Sequence, residues 1–361
     1  MNRDPAASSS LPEPVGILGG GSFGTTLAEI VARQGGRPLL WMRDEAIRRE
    51  IVERRTNVKF FGPELRLAAG IETTGELADI ARRTHVILSA VPTKGVREVA
   101  FKLGEHLSGD RIVVSCAKGL EPKTGKRMTE VWKEETCVKK VGVLSGPNLA
   151  GEIVRGQPAA SVVASRFDEV IERATRVLMG PRMRIYGSDD VIGVEMAGAL
   201  KNIIAIAAGV LDGLGLGDNT KAALVTRGLA EIARYGARSG ANPLTFSGLA
   251  GVGDLIATCG SDLSRNHQVG ARLGKGERLP AILASMVQTA EGVSTTRTVW
   301  EHASEVGIDM PITEGVYRIL FDGATPQAVV EEVMARPPIR EIDAEHVAAV
   351  AQALAAAPVA R

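Results

Sequence analysis

The segment VGILGGGSFGTTLAEIVARQGG, residues 15–36, constrains the fold more than any other stretch of the chain. A short apolar run ends in a cluster of glycines, a helical run with Leu27, Ile30 and Val31 on one face follows, and Gly35 and Gly36 stop it. Gly19, Gly21 and Gly24 stand at the GxGxxG positions. In a strand–turn–helix unit of this kind the first glycine permits the tight turn, the second admits a pyrophosphate to the backbone amides, and the third lets helix and strand pack closely. The helix N-terminus then faces the anion. This context predicts an α/β fold that binds a dinucleotide. After the second apolar run, PLLWM, come Arg43 and Asp44. A guanidinium there can hold the 2′-phosphate of NADP, whereas Asp44 keeps NAD open and a solvated charge at a strand end is the plain alternative for Arg43.

The chain has two textures. From residue 15 to about 186, short β-rich runs at 15–18, 38–42, 85–90, 112–116, 141–144, 161–164 and 183–186 alternate with helical stretches, the pattern of a doubly wound sheet. Several runs open into small or polar loops (AVPTKG, SCAKGL, LSGPNLAGE), which places ligands at the carboxyl edge of the sheet. Beyond residue 187 strand character disappears, and helical periods are expected at 191–211, 219–239, 243–249, 262–273, 280–286, 294–305, 312–320 and 326–334. At 361 residues two domains are expected. Residues 1–14 read as a disordered leader, 15–189 as the dinucleotide-binding domain, 190–340 as an all-helical substrate domain and 341–361 as a helical or frayed tail.

The run VIGVEMAGALKNIIAIAAGVLD, residues 191–212, carries Lys201 at its centre, and no carboxylate three or four positions away can pair with it within the helix. Desolvation lowers a lysine pKa toward neutrality, as suits a group that exchanges protons with a carbonyl or alcohol. The alternative is a lysine that snorkels to the rim or pairs with a carboxylate of another helix. The run is interrupted by Glu195, Lys201 and Asn202, so it reads as a buried core helix and not a membrane span.

Charge is nearly balanced, with 43 Lys and Arg against 42 Asp and Glu, which argues against nucleic acid as a partner and leaves small, locally bound anions. Three scattered cysteines and five scattered histidines suggest neither a disulfide framework nor a metal site, and a cytoplasmic address is expected. One cluster can hold a phosphate: Ser264, Arg265 and Asn266, in LSRNH, juxtapose a hydroxyl, a guanidinium and an amide, although taken alone an ordinary helix start, with Ser264 or Asp262 as cap and the rest solvated, is the favoured reading. His267 has no evident role. Asp254, among glycines, is expected to be an N-cap, with a polar contact in the cleft as the other choice. Lys118 stands in a loop at the ligand edge, and the charged runs at 121–127 and 274–278 read as solvated surface.

Taken in order, GGGSFG, CAKGLE, SGPNLAGE, AGALKNIIAIAAGVLDGLGLGDNTKAAL, GLAGVGDLIATC, SRNH and AEG resemble the NAD(P)-dependent glycerol-3-phosphate dehydrogenases of bacterial type. The resemblance runs from about residue 15 to 321 and implies a Rossmann-type sheet followed by an all-helical C-terminal domain. It implies NADP, or else NAD, as cofactor and reversible reduction of dihydroxyacetone phosphate to sn-glycerol 3-phosphate, the backbone of phospholipids. By motif it makes Lys201 the proton donor and acceptor, and it assigns substrate contacts to Lys118, Gly146, Asn148, Asp254, Ser264, Arg265 and Asn266. Ser22, Phe23, Arg43, Lys118, Ala150, Arg265, Thr289 and Glu291 are implied to line the dinucleotide with the three glycines. The chain departs from the family's pattern at Asn148, Leu149 and Thr289. A homodimer is the expected assembly. A hydroxy-acid dehydrogenase of the same plan, or a nucleotide sensor without catalysis, are the competing readings; the activated lysine and the phosphate cluster argue against the sensor.

Overall fold

A computed structural model describes residues 13–337. The leader expected at 1–14 falls outside these residues except for its last two, and Pro14 already opens the first strand; the tail expected at 341–361 lies wholly outside. Eight strands, β1 (Pro14–Leu18), β2 (Arg37–Trp41), β3 (Glu72–Thr74), β4 (Val86–Ser89), β5 (Ile112–Ser115), β6 (Lys140–Ser145), β7 (Ala159–Ser165) and β8 (Met183–Ser188), form one sheet in the order β3-β2-β1-β4-β5-β6-β7-β8. All neighbours are parallel except β6 and β7. The first six strands have the Rossmann order, whose reversal between β1 and β4 opens a crevice at the carboxyl ends.

The strands read as continuous apolar runs because both faces are covered. Ile17, Leu40, Leu88 and Val114 enter one core layer, while their neighbours Leu18, Leu39, Ile87 and Val113 enter the opposite one. Strand β3 escapes the sequence pattern: Glu-Thr-Thr has no apolar alternation, and its place follows from pairing with Leu39–Trp41 at the sheet edge.

From Val191 the chain is helical, and the Val191–Gly213 helix runs through the middle of the second half, buried at every residue from Gly193 to Leu211. By length and composition it could cross a membrane, yet 89% of its apolar window is buried inside the protein. The expected helix at 243–249 is instead a 3-10 turn (Pro243–Ser247) leading through a π-turn (Leu249–Gly253) into an unanticipated helix, Asp254–Cys259. Glycines in this stretch favour tight, irregular winding over a regular helix.

Two carboxylates of the helical half, the buried Glu195 and the half-buried Glu291, reach across to cap helices of the sheet half. Glu195 accepts from Thr129 N (2.9 Å), Thr129 Oγ1 and Arg127, and Glu291 accepts from Thr93 N and Oγ1 (both 2.7 Å). Each satisfies N–H groups that a helix start leaves without partners. Burial raises the Glu195 pKa, while Arg127 and Thr129 oppose the rise. The run at 121–127 is therefore only partly solvated surface: Glu121 pairs with Arg97, and Arg127 with Glu195, both in half-buried surroundings.

Candidate active site

A cleft of about 620 Å³ lies at the carboxyl edge of the sheet, between it and the helical half. Its floor is the glycine turn. Gly19 has φ +105, and a Cβ there would meet Ala90 O at 2.9 Å; a Cβ on Gly24 would lie 1.8 Å from Gly19 O. Gly21, by contrast, faces open space. The helix begins at Ser22, and no side chain caps it, so its first amides remain free. A left-handed turn, a close helix–strand contact and uncapped amides beside open space fit a pyrophosphate. Trp41, Met42, Arg43 and Phe60 line the far end of the cleft, where an adenosine would lie. Asp44 also lines this end, with one carboxylate oxygen, Oδ1, committed to Ala46 N and Ile47 N as the cap of the Glu45–Arg54 helix.

At the other end three loops and two helices bring Lys118, Lys201 and Asp254 together. Lys201 Nζ donates to Asp254 Oδ1 (2.5 Å) and Thr258 Oγ1 (2.6 Å). Lys118 Nζ donates to Asp254 Oδ2 (2.8 Å), Gly146 O (2.8 Å) and Asn148 Oδ1 (2.5 Å). An ammonium has three protons to give. Those of Lys118 are all committed, whereas Lys201 keeps one for a ligand. Lys201 and Asp254 are only 5% and 2% exposed. Burial lowers the Lys201 pKa to about 8; Asp254 pulls it up and the neighbouring Lys118 pushes it down.

Asp254 is thus a shared counter-ion and not the expected cap: it is the first residue of its helix, and its carboxylate caps nothing. Both sequence alternatives for Lys201 hold together, since it pairs with a carboxylate of another helix and still has a lowered pKa. Thr258 is a site residue that sequence reading missed; its signal is the i, i+4 spacing from Asp254, which puts both on one helix face. Asn202, in the sequence only a polar interruption of an apolar run, has a structural partner. Its Nδ2 holds Lys118 O at 2.9 Å.

The phosphate cluster opens the Arg265–Gly274 helix. Ser264 Oγ accepts from His267 N (3.3 Å), Asn266 Oδ1 accepts from Gly292 N (2.9 Å), and the exposed Arg265 guanidinium donates to Thr289 O (2.9 Å). Ser264 is therefore cap and cleft wall at once. His267 turns away to pair with Asp212 at 2.7 Å. The Arg265–Gly274 helix is seated on the Lys201 helix by glycines from both: a Cβ on Gly270 would lie 1.9 Å from Ile206 O, and one on Gly209 would lie 2.1 Å from His267 O. Backbone contact at that range fixes the spacing between amine and phosphate cluster.

The structure brings the sequence-selected residues together on the cleft, including Ser22, Phe23, Ala150, Thr289 and Glu291, with two exceptions. Gly24 lies beneath the floor, and Gly146 acts through the carbonyl that holds Lys118. Asn148 Nδ2 is buried without a partner, a donor left over for a ligand. Gln288, unforeseen from the sequence, accepts from Ser22 Oγ at 3.1 Å across the cleft. Among the described residues no three His, Cys, Asp or Glu side chains converge as a metal site would require.

Comparison with known proteins gives two family matches: the NAD-dependent glycerol-3-phosphate dehydrogenase N-terminus over residues 14–171, and the C-terminus of the same family over 190–331. A glycerol-3-phosphate dehydrogenase [NAD(P)+] of Geobacillus thermodenitrificans is 46% identical over 334 residues, 92% of this chain and 97% of that protein. The corresponding protein of Halothermothrix orenii is 43% identical over 335 residues, 92% and 98% of the two chains. The crystal structure of a glycerol-3-phosphate dehydrogenase from Coxiella burnetii superposes with a TM-score of 0.86 at 35% identity, covering 91% of this chain and 100% of the other.

Proposed function

The chain belongs to the NAD-dependent glycerol-3-phosphate dehydrogenase family, and on that premise we propose that it interconverts dihydroxyacetone phosphate and sn-glycerol 3-phosphate with Lys201 as the proton donor and acceptor. The single uncommitted proton of Lys201, beside a Lys118 with none to spare, is the observation that carries this assignment. The bound nicotinamide dinucleotide, NADP or NAD, supplies or takes the hydride. Lys201 gives its proton to the oxygen that becomes the alcohol, and takes it back in oxidation. Asp254 holds both ammonium groups, and Thr258 fixes the direction of the Lys201 amine. Lys118, Lys201 and Arg265 carry three positive charges against one on Asp254, a surplus that suits a phosphate monoester of nearly two negative charges. Ser264, Arg265 and Asn266 grip the phosphate, so that binding at one end of the three-carbon substrate orients the other. A substrate with a carboxylate alone would leave this surplus unmatched.

Residues 15–189 serve as the dinucleotide domain and 190–340 as the substrate domain in this reading. The product would feed glycerophospholipid synthesis. A homodimer and a cytoplasmic address complete the picture; the second is supported by Cys116, Cys137 and Cys259, all three free thiols. Sedimentation at working concentration checks the first, and a monomer there removes it.

The test is oxidation of NADPH and NADH on addition of dihydroxyacetone phosphate. Lys201→Ala is expected to lower kcat by about 10²–10⁴, and Arg265→Ala to act mainly on KM. Equal, small effects from the two variants would reject these roles.

A further inference from the structure

Three cations stand at the adenosine end of the cleft with no anionic partner, Lys59 making only a cation–π contact with the Phe60 ring at 5.8 Å. Arg43 follows β2, Lys59 lies in the short helix Val58–Phe61, and Lys94 is in the first turn of the Thr93–Gly104 helix after β4. All three are exposed, and none makes an ion pair or a side-chain hydrogen bond with another described residue. The two carboxylates that share this lining, Asp44 and Glu98, each have one oxygen bonded to a group other than these three cations. Asp44 caps its own helix, and Glu98 is held by Lys102 at 2.6 Å. Arg43 nonetheless lies close enough to Glu98 to lower its pKa, after the larger effect of Lys102, which sets Arg43 against the helix that carries Lys94. Lys59 is held in place from behind: Asn57 Nδ2 donates to Gly20 O (3.3 Å) and Thr25 Oγ1 (2.9 Å), fastening the short helix to the glycine turn.

Charges left unpaired around one end of a cleft repel one another, and the electrostatic cost is relieved when an anion enters. The pyrophosphate has its own site at the uncapped helix start, so the anion in question is a second one, carried on the ribose. We infer that Lys59 and Lys94, together with Arg43, form a cradle for the 2′-phosphate of NADP and are specificity-determining residues for this cofactor. The inference rests on the cleft being a dinucleotide site but not on the identity of the oxidised substrate.

The experiment is calorimetric binding of adenosine 2′,5′-bisphosphate and of 5′-AMP to the cofactor-free full-length protein, at low and high salt. The wild type is expected to prefer the bisphosphate at least tenfold, with the preference shrinking as salt rises. Lys59→Ala and Lys94→Ala are each expected to weaken the bisphosphate by about two- to fivefold and the pair together by about tenfold, leaving 5′-AMP unchanged. Equal loss for both nucleotides, or no loss in either variant, overturns the cradle, as does a wild type that binds the two alike. A wild type that binds neither nucleotide rejects the dinucleotide site itself. Failure to reduce dihydroxyacetone phosphate despite normal nucleotide binding rejects only the dehydrogenase reading.

Discussion

The two ends of the cleft are built on opposite plans. At the substrate end Lys201, Asp254 and Thr258 are buried and bonded to one another, and the helix bearing the phosphate cluster touches the lysine helix backbone to backbone. At the adenosine end Arg43, Lys59 and Lys94 are exposed and make no ion pair among the described residues. The difference suits the roles proposed for the two ends. A proton transfer needs a fixed amine in a water-poor site, where charge interactions are strong and little reorganisation is required. A cofactor that enters and leaves each cycle is better served by solvated cations, which lose little hydration and steer an anion from a distance.

The sharpest way to break this contrast is Asp254→Asn, which leaves the buried Lys201 and the half-buried Lys118 without their shared charge. We expect a loss of about 3–5 kcal/mol in stability, the usual cost of removing one partner of a buried pair, read by denaturant titration. In the wild type, reduction should fall as pH rises through about 8, because the protonated Lys201 is the acid, while oxidation should rise over the same range. Since Asp254 raises the Lys201 pKa, the variant's alkaline limb should move to lower pH. An unmoved limb would detach Lys201 from that titration.

Two glycines sharpen the contrast next. Gly270→Ala forces a Cβ to within 1.9 Å of a backbone oxygen, so the two helices must separate. A loss of about 1–3 kcal/mol follows from such overpacking, together with a higher KM for the phosphate substrate. Gly21→Ala meets nothing within 4 Å and should fold as the wild type does, while losing dinucleotide affinity as its methyl enters the pyrophosphate space. Equal melting points for the two variants would contradict the difference in packing. The smallest effect is expected from Asp44→Ala, about 1 kcal/mol from a lost helix cap, with kcat unchanged; a large change in kcat would mean that the carboxylate serves the cofactor after all.

Much of the fold was legible because its signals are short-range. The glycine turn, the alternation of strands with helices, and the switch to helix near residue 190 all rest on local backbone demands and periodicity. The exceptions are local signals too weak to read: β3 has three residues without alternation, and the Leu249–Gly253 π-turn sits where glycines permit several windings. At the site the residue types were legible and their partners were not. Asp254 read as a cap because an acidic residue after glycines usually is one; its lysine partner lies 53 positions away. The residues at 121–127 read as surface because the acceptor of Arg127 is 68 positions distant.

By itself, then, the sequence determined that this chain folds as a Rossmann-type sheet followed by a helical half, with an amine buried in a long apolar helix and a hydroxyl, a guanidinium and an amide side by side further on. Those properties depend on spacing along the chain and on which side chains a backbone conformation tolerates. Only the tertiary structure decided that Lys201 keeps a proton free while Lys118 does not, that one carboxylate serves both, and that Glu195 and Glu291 cap helices 66 and 198 positions away. Hydrogen-bond partners of buried groups are set by which surfaces meet, because an unpaired buried charge costs several kcal/mol wherever in the chain its partner lies.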